Sequence, residues 1–173
     1  QILYNIPSRT SANMQDSTIL LLAKNELIIG IKDATSDLAR AAHIISSAPP
    51  HFACYSGDDS TTLAYMLMGG HGTISVAANI LPKTMSQLCS FALDGHVGKA
   101  RAINTQLIPL FNVLSIDTNP IPIKFVMSNF GLMLNVLRLP LVPLSEDLHC
   151  EVKSILHQIA EYLPELSALA HDT

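Results

Sequence analysis

Short apolar runs alternate with helix-period segments through the first half of the chain, and helix-period segments alone follow. Ile2–Ile6 reads as a strand that Pro7 ends, because proline removes a backbone donor and fixes φ. Ser8–Ser11 reads as a polar loop, and Ser17 to about Asn25 as a short helix. A second strand falls near residues 28–32, inside Leu27–Lys32. Asp37–Ser47 then has helical periodicity and stops at Pro49-Pro50. Phe52–Ser56 is a third strand, Thr61–Met68 a helix closed by Gly69-Gly70, Thr73–Val76 a fourth strand, and about Lys83 to Leu93 another helix. Strand and helix thus alternate four times in units of βαβ length. The strands are apolar on both faces, which predicts a parallel, covered sheet.

After Asp94-Gly95 the pattern changes. Val97 to about Leu114 is a long helical segment with Pro109 inside it. Asn119-Pro120-Ile121-Pro122 opens a helix running to Phe130 and closed by Gly131. Leu139–Leu144 carries two prolines and reads as extended, and Glu146–Tyr162 is a final amphipathic helix. The expected organisation is therefore α/β over residues 1–95 and a helical domain over residues 96–173.

The stretch Leu27–Leu38 (LIIGIKDATSDL) carries the sharpest chemical signal. It places Lys32 at the carboxyl end of a buried strand, just before Thr35, Ser36 or Asp37 caps the next helix. Parallel α/β folds put their chemistry at that end. A buried lysine pairs or loses its proton, and a neutral amine on a rigid strand is a nucleophile towards carbonyls. The alternative is a lysine that snorkels to solvent or pairs with Asp33.

Composition narrows the classes. Ten Lys and Arg against fourteen Asp and Glu give a net charge of −4, and no basic run appears, which argues against nucleic acid or anionic membrane as partner. Hydrophobic residues make up 49% and charged residues 14%, with a mean hydropathy of +0.34. That is apolar for a free-standing domain and points to surface hidden by an interface or by more chain. Cys54, Cys89 and Cys150 are scattered, so a disulfide framework or structural zinc is not expected, and a reduced cytoplasmic setting is. No apolar run approaches the roughly 20 residues of a membrane span, and a secretory leader is not expected.

Other motifs weigh less singly. Tyr4 sits near the end of the first strand, where its hydroxyl either relays a proton or is satisfied in the core. Arg9 offers a fork for a carboxylate, or is simply solvated. Gly57-Asp58-Asp59 fits a tight turn with an aspartate cap better than a metal site, and Gly69-Gly70-His71-Gly72 fits a helix stop better than a P-loop. The seven histidines show no metal spacing, and no G-x-S-x-G is present. Taken together, Tyr4, Lys32, Gly57 and Ile74 each lie near the carboxyl end of successive strands, ends that converge on one rim in a barrel.

The segments YNIPSRT (Tyr4–Thr10), GIKDAT (Gly30–Thr35), SGDD (Ser56–Asp59), GGHGTISVAAN (Gly69–Asn79) and NPIPIK (Asn119–Lys124) closely resemble the dihydrodipicolinate synthase family, in order and over most of the chain. The resemblance implies the C-terminal half of a (βα)8 TIM barrel, four βα units, followed by the C-terminal helical domain. It implies a class I, Schiff-base lyase that condenses pyruvate with aspartate semialdehyde to 4-hydroxy-tetrahydrodipicolinate, towards lysine, without a cofactor or metal. By the same resemblance Lys32 forms the imine and Tyr4 relays protons. Arg9 binds the aldehyde substrate's carboxylate, and backbone groups at Gly57 and Ile74 line the pocket. The family implies a homo-oligomer, dimer or tetramer, with the appended helices in the subunit contacts.

The chain departs from that pattern in two ways. It begins at what resembles the fifth barrel strand, and a closed barrel needs about 250 residues, so activity is expected only when the other half completes the site. An unclosed half exposes strand edges and an apolar inner face that favour pairing. Ser36 stands where a glycine is usual, a change expected to alter only the loop. Two alternatives remain: a related pyruvate-dependent aldolase acting on N-acetylneuraminate or keto-deoxy sugar acids, against which Arg9 weighs, and a non-catalytic fragment or pseudoenzyme assembling through its helices.

Overall fold

The computed structural model describes residues 1–161, 163, 165 and 166 of the 173-residue chain. Contacts divide it into two units: Gln1–Ser75 with Cys89–Ala100, and Val76–Leu88 with the chain from Arg101 on.

The first unit is built on a parallel sheet of four strands in sequential order: β1 (Ile2–Asn5), β2 (Gly30–Asp33), β3 (Ala53–Ser56) and β4 (Gly72–Thr73). Ladder bonds from Ile29 N to the Gln1 carbonyl (2.8 Å) and from Ala53 N to the Ile29 carbonyl (2.8 Å) bring the second run into the sheet at Ile29. Gly30 is there because the strands approach closely: a Cβ would lie 2.5 Å from the Ala53 carbonyl oxygen. β1 ends at Asn5, one residue before the expected limit, since Ile6 already caps the following turn. The fourth strand is corrected from 73–76 to Gly72–Thr73. Ile74 N still donates to the Ser56 carbonyl (2.9 Å), and Ala77–Asn79 has already turned into a 3-10 helix.

The segment after β1 is also corrected. Residues 7–10 form a one-turn helix, α1 (Pro7–Thr10), where proline occupies the first position and its missing N–H costs nothing. The Thr10 hydroxyl bonds back to the Ile6 carbonyl (3.1 Å). α2 (Asp16–Leu22), α3 (Leu38–Ser47) and α4 (Thr62–Leu67) connect the strands. Of the three candidate caps before α3, Asp37 is the one used: its carboxylate accepts from Arg40 N (2.9 Å). Ser36 takes a left-handed φ of 60°, and Asp58 caps the turn before α4 through Thr61 N (3.0 Å).

The core follows from the strand period of two. Leu3, Ile31 and Cys54 share one face of the sheet and pack with Ile19, Ala23, Ile28, Ala41, Ile44, Phe52 and Tyr65. A satellite cluster joins Leu63, Met66, Ala92 and Ala100.

The second unit is helical among its described residues. α5 (Pro82–Leu93) and α6 (Val97–Leu114) contribute residues to both units, while α7 (Ile121–Asn129) and α8 (Glu146–Ala160) belong to the second. Pro109 lies inside the single helix α6. Apolar faces of α6 (Leu107, Leu110, Phe111), α7 (Ile123, Phe125, Val126) and α8 (Val152, Leu156, Ile159) are buried, and Phe125 stacks on His149 at 4.3 Å. The start of α5 is held by Glu165, whose carboxylate accepts from Lys83 N (3.0 Å), Thr84 N (2.8 Å) and the Thr84 hydroxyl (2.8 Å). The expected end of the last helix at Tyr162 falls outside the described residues.

Candidate active site

Parallel register puts Tyr4, Lys32, Tyr55 and Gly72 in one row across the sheet, on the face opposite the helices. Lys32 is the third residue of β2, so rigid neighbours hold its backbone on both sides. Its Nζ stands 4.2 Å from the centroid of the Tyr4 ring. Tyr4 is half exposed, so the pair faces open space and can be reached by a solute.

Gly57 completes this arrangement from the end of β3. Its N–H donates to the Asp33 carbonyl (2.7 Å), which draws the turn over the end of β2. A Cβ at Gly57 would lie 2.9 Å from Lys32 Cε, 3.1 Å from Lys32 Cγ and 2.8 Å from Ala34 Cβ. The glycine therefore leaves the space in which the lysine stem runs. Ile74 is tied to the end of β3 by the bond to Ser56 and leaves its side chain exposed. Arg9 is on α1, exposed, at the turn following the carboxyl end of β1. The structure thus places Tyr4 and Gly57 each beside Lys32. Ile74 and Arg9 stand at carboxyl ends of the same sheet.

Asp33 is not the partner of Lys32. Alternation sends its carboxylate to the helix side, where it is 4% exposed. Asp33 Oδ1 accepts from Thr35 N (3.2 Å) and the Asn5 amide (3.5 Å), while Oδ2 faces Arg40 Nε at 3.6 Å. Asn5, immediately after Tyr4, is 2% exposed and bonds to Asn13 Oδ1 (2.9 Å) and accepts from Met14 N (3.1 Å). Tyr4 and Lys32 are each followed at once by a member of a buried polar network. The sequence reading missed Asn5, Arg40 and Tyr55. Period-two alternation within the third strand was a signal for Tyr55; none pointed to Asn5 or to Arg40, which lies on a helix.

A second set of polar bonds ties β3 to its neighbours. The Thr62 hydroxyl lies 2.8 Å from the Asp58 carbonyl and 3.1 Å from both the Ser56 and Thr73 hydroxyls, and Thr73 Oγ1 donates to the Ser56 carbonyl (3.2 Å). Beneath β3, burial foremost, with the Asp33 carboxylate adding, pushes the Cys54 thiol up to about 11, against a hydrogen bond with Tyr65 that lowers it. Burial foremost also raises the Tyr65 phenol, with Cys54 and Asp33 adding to it. Both groups stay protonated near neutrality and serve packing, not nucleophilic chemistry.

Among the described residues, no group of three His, Cys, Asp or Glu is placed to hold a metal ion. No described helix is long and apolar enough to cross a membrane.

Comparison with known proteins matches the chain to one family. The model of the Dihydrodipicolinate synthetase family matches residues 1–159. The chain is 48% identical over 157 residues to the 4-hydroxy-tetrahydrodipicolinate synthase of Azoarcus sp. (strain BH72), covering 91% of this chain and 54% of that protein. It is also similar to the chloride-inhibited dihydrodipicolinate synthase of Acinetobacter baumannii complexed with pyruvate. That match has a TM-score of 0.89 at 40% identity and covers 91% of this chain and 54% of the other. The 4-hydroxy-tetrahydrodipicolinate synthase of Methylacidiphilum fumariolicum SolV superposes with a TM-score of 0.91 at 37% identity, covering 97% and 56%. The chain spans about half the length of the curated relatives it matches. With the Lys32 strand, the strand-end glycine and the parallel sheet all inside the matched region, the chain belongs to the Dihydrodipicolinate synthetase family.

Proposed function

We propose that this chain supplies the imine-forming half of a lyase that condenses pyruvate with L-aspartate 4-semialdehyde to 4-hydroxy-tetrahydrodipicolinate. The observation that carries this reading is Lys32 on a central strand, its Nζ 4.2 Å from the Tyr4 ring and its stem in the space left by Gly57. In the proposed step the Lys32 amine attacks the keto carbon of pyruvate and water leaves, giving an imine. Loss of a methyl proton gives the enamine, whose carbon attacks the aldehyde. Tyr4, beside the amine, relays protons, and Arg9 receives the carboxylate of the aldehyde substrate. Backbone groups at Gly57 and Ile74 border the pyruvyl group. The relative from A. baumannii was studied with pyruvate bound, which supports pyruvate as the keto substrate here.

In the same reading, residues 1–95 form four βα units of an eight-unit barrel, and residues 96–173 form a helical domain that takes part in homo-oligomer contacts. The coverage of 54–56% of the relatives supports a partial barrel. So do the exposed apolar side chains of Ile2 in β1 and Ile29 just before β2. The experiment is borohydride trapping: the full-length protein is incubated with pyruvate, reduced, and mapped by peptide mass spectrometry. A reduced pyruvyl adduct on Lys32 is the expected result. An adduct on another lysine, or none, would overturn the assignment.

A further inference from the structure

We propose that Arg40 is a positioning residue that fixes the Arg9 turn to the strand ends carrying Tyr4 and Lys32, and so sets the affinity for the second, carboxylate-bearing substrate. The inference rests on the reading of Lys32 and Arg9 given above.

Arg40 lies on α3, its side chain nine-tenths buried. Its fork holds the segment that returns from α1: Nη1 donates to Asn13 Oδ1 (2.6 Å) and Nη2 to the Met14 carbonyl (2.6 Å). Nε faces Asp16 Oδ1 at 3.1 Å, at the start of α2, and Asp33 Oδ2 at 3.6 Å, at the end of β2. Asn13 Oδ1 is shared with the Asn5 amide at the end of β1, and Asn5 Oδ1 accepts from Met14 N. One guanidinium thus gathers the end of β1, the end of β2, the loop after Arg9 and the helix that follows Lys32. A planar, bidentate fork is the group that fixes such geometry, and an ammonium is not its equivalent.

A role in packing alone and a role in positioning predict different kinetics. The lysine is held directly by the sheet, with ladder partners on either side, whereas the Arg9 turn is a single helical turn joined back through the exposed loop 11–13. Loosening the fork therefore acts on the turn and leaves the imine step alone.

Arg40→Lys is the informative change, because it keeps a cation for buried Asp33 and part-exposed Asp16 but loses the fork; Arg40→Ala would strand Asp33 and is avoided. Asn13→Ala, at an exposed position, removes the same link from the other side. The full-length protein, Arg40→Lys, Asn13→Ala, Arg9→Ala and the Arg9→Ala/Arg40→Lys double variant are compared. Thermal melts, borohydride trapping with pyruvate alone and KM for aspartate semialdehyde are the readouts. Arg40→Lys is expected to raise that KM about tenfold or more, as a displaced binding group does, with pyruvate trapping at Lys32 unchanged. The double variant is expected to be no worse than Arg9→Ala alone, since the two act as a unit. Asn13→Ala repeats the effect in a folded protein even if Arg40→Lys lowers the melt. An unchanged KM in both variants, a multiplicative double variant, or trapping slowed in step with KM overturns the inference. Absence of any pyruvate adduct in the unmutated protein overturns the reading on which it stands.

Discussion

Replacing Gly57 with alanine tests the site with the smallest possible change. Gly57 lies outside the left-handed backbone region, so alanine meets no conformational penalty there. What it meets is Lys32 Cε at 2.9 Å and Ala34 Cβ at 2.8 Å. Carbon atoms rest at about 3.5–4.0 Å, so the new methyl is ~0.6 Å too close on both sides. Ala34 has no torsion with which to retreat, and the lysine stem has several, so the lysine moves. Overpacking of this kind costs about 1–3 kcal/mol where the surroundings resist, and the lower end applies because one neighbour is flexible. The chemical effect is larger, since the displacement falls on the carbon bonded to Nζ, and a misplacement near 1 Å can cost about a hundredfold in rate. Gly57→Ala is therefore expected to slow single-turnover imine trapping by pyruvate about tenfold to a hundredfold, with a modest drop in the urea midpoint. Gly98→Ala is the control: a Cβ there meets nothing within 4 Å, and near the start of α6 alanine should hold or raise stability. Trapping at the parent rate in Gly57→Ala would refute the claim that this glycine makes room for the lysine.

Three further outcomes follow from the same geometry. Ser36→Gly should stabilise the first unit by about 0.5 kcal/mol, the relief of a left-handed φ of 60° less the larger unfolded entropy of glycine; a lower urea midpoint would contradict it. Glu165→Ala should cost about 1–2 kcal/mol, because two backbone N–H groups at the start of α5 lose their acceptor; chemical denaturation measures it, and Glu165→Gln should recover part. The raised Cys54 thiol contributes stability that is fully present below pH 9.0 and is lost as the pH rises through about 11, because the folded state holds the proton more tightly. The urea midpoint should fall across that window and fall less steeply in Cys54→Ala, and parallel pH curves would exclude the thiol as the cause.

Strand order and most helices were legible because their signals are local: Pro7 after an apolar run, Asp37 and Asp58 as caps, glycines after α4. Lys32 stood out because a cation interrupts an apolar run immediately before a helix start. The one-turn helix at Pro7–Thr10 was not legible, since four residues carry no period and only proline at the first position hints at it. The early end of β4 was hidden for a different reason. Ile74, Ser75 and Val76 have strand propensity, and departure from the ladder after Ile74 is settled by the turn at Ala77–Asn79 and not by the run itself. Asn5 and Arg40 were hidden because they are 35 residues apart in number and meet only once the sheet has formed its register, through Asn13 and Asp33.

The alternation along β1, β2 and β3 has a practical consequence for redesign. Tyr4 and Asn5, Lys32 and Asp33, Tyr55 and Ser56 are chain neighbours that answer to different surroundings, one on the open face of the sheet and the next facing the helices. Substitutions confined to Ile2, Tyr4 and Tyr55 can reshape what the lysine meets without touching the packing of Leu3, Ile31 and Cys54. A single inserted residue in β2 would do the reverse: it would carry Lys32 into the apolar interior and turn Asp33 outward, exchanging reagent and scaffold in one step.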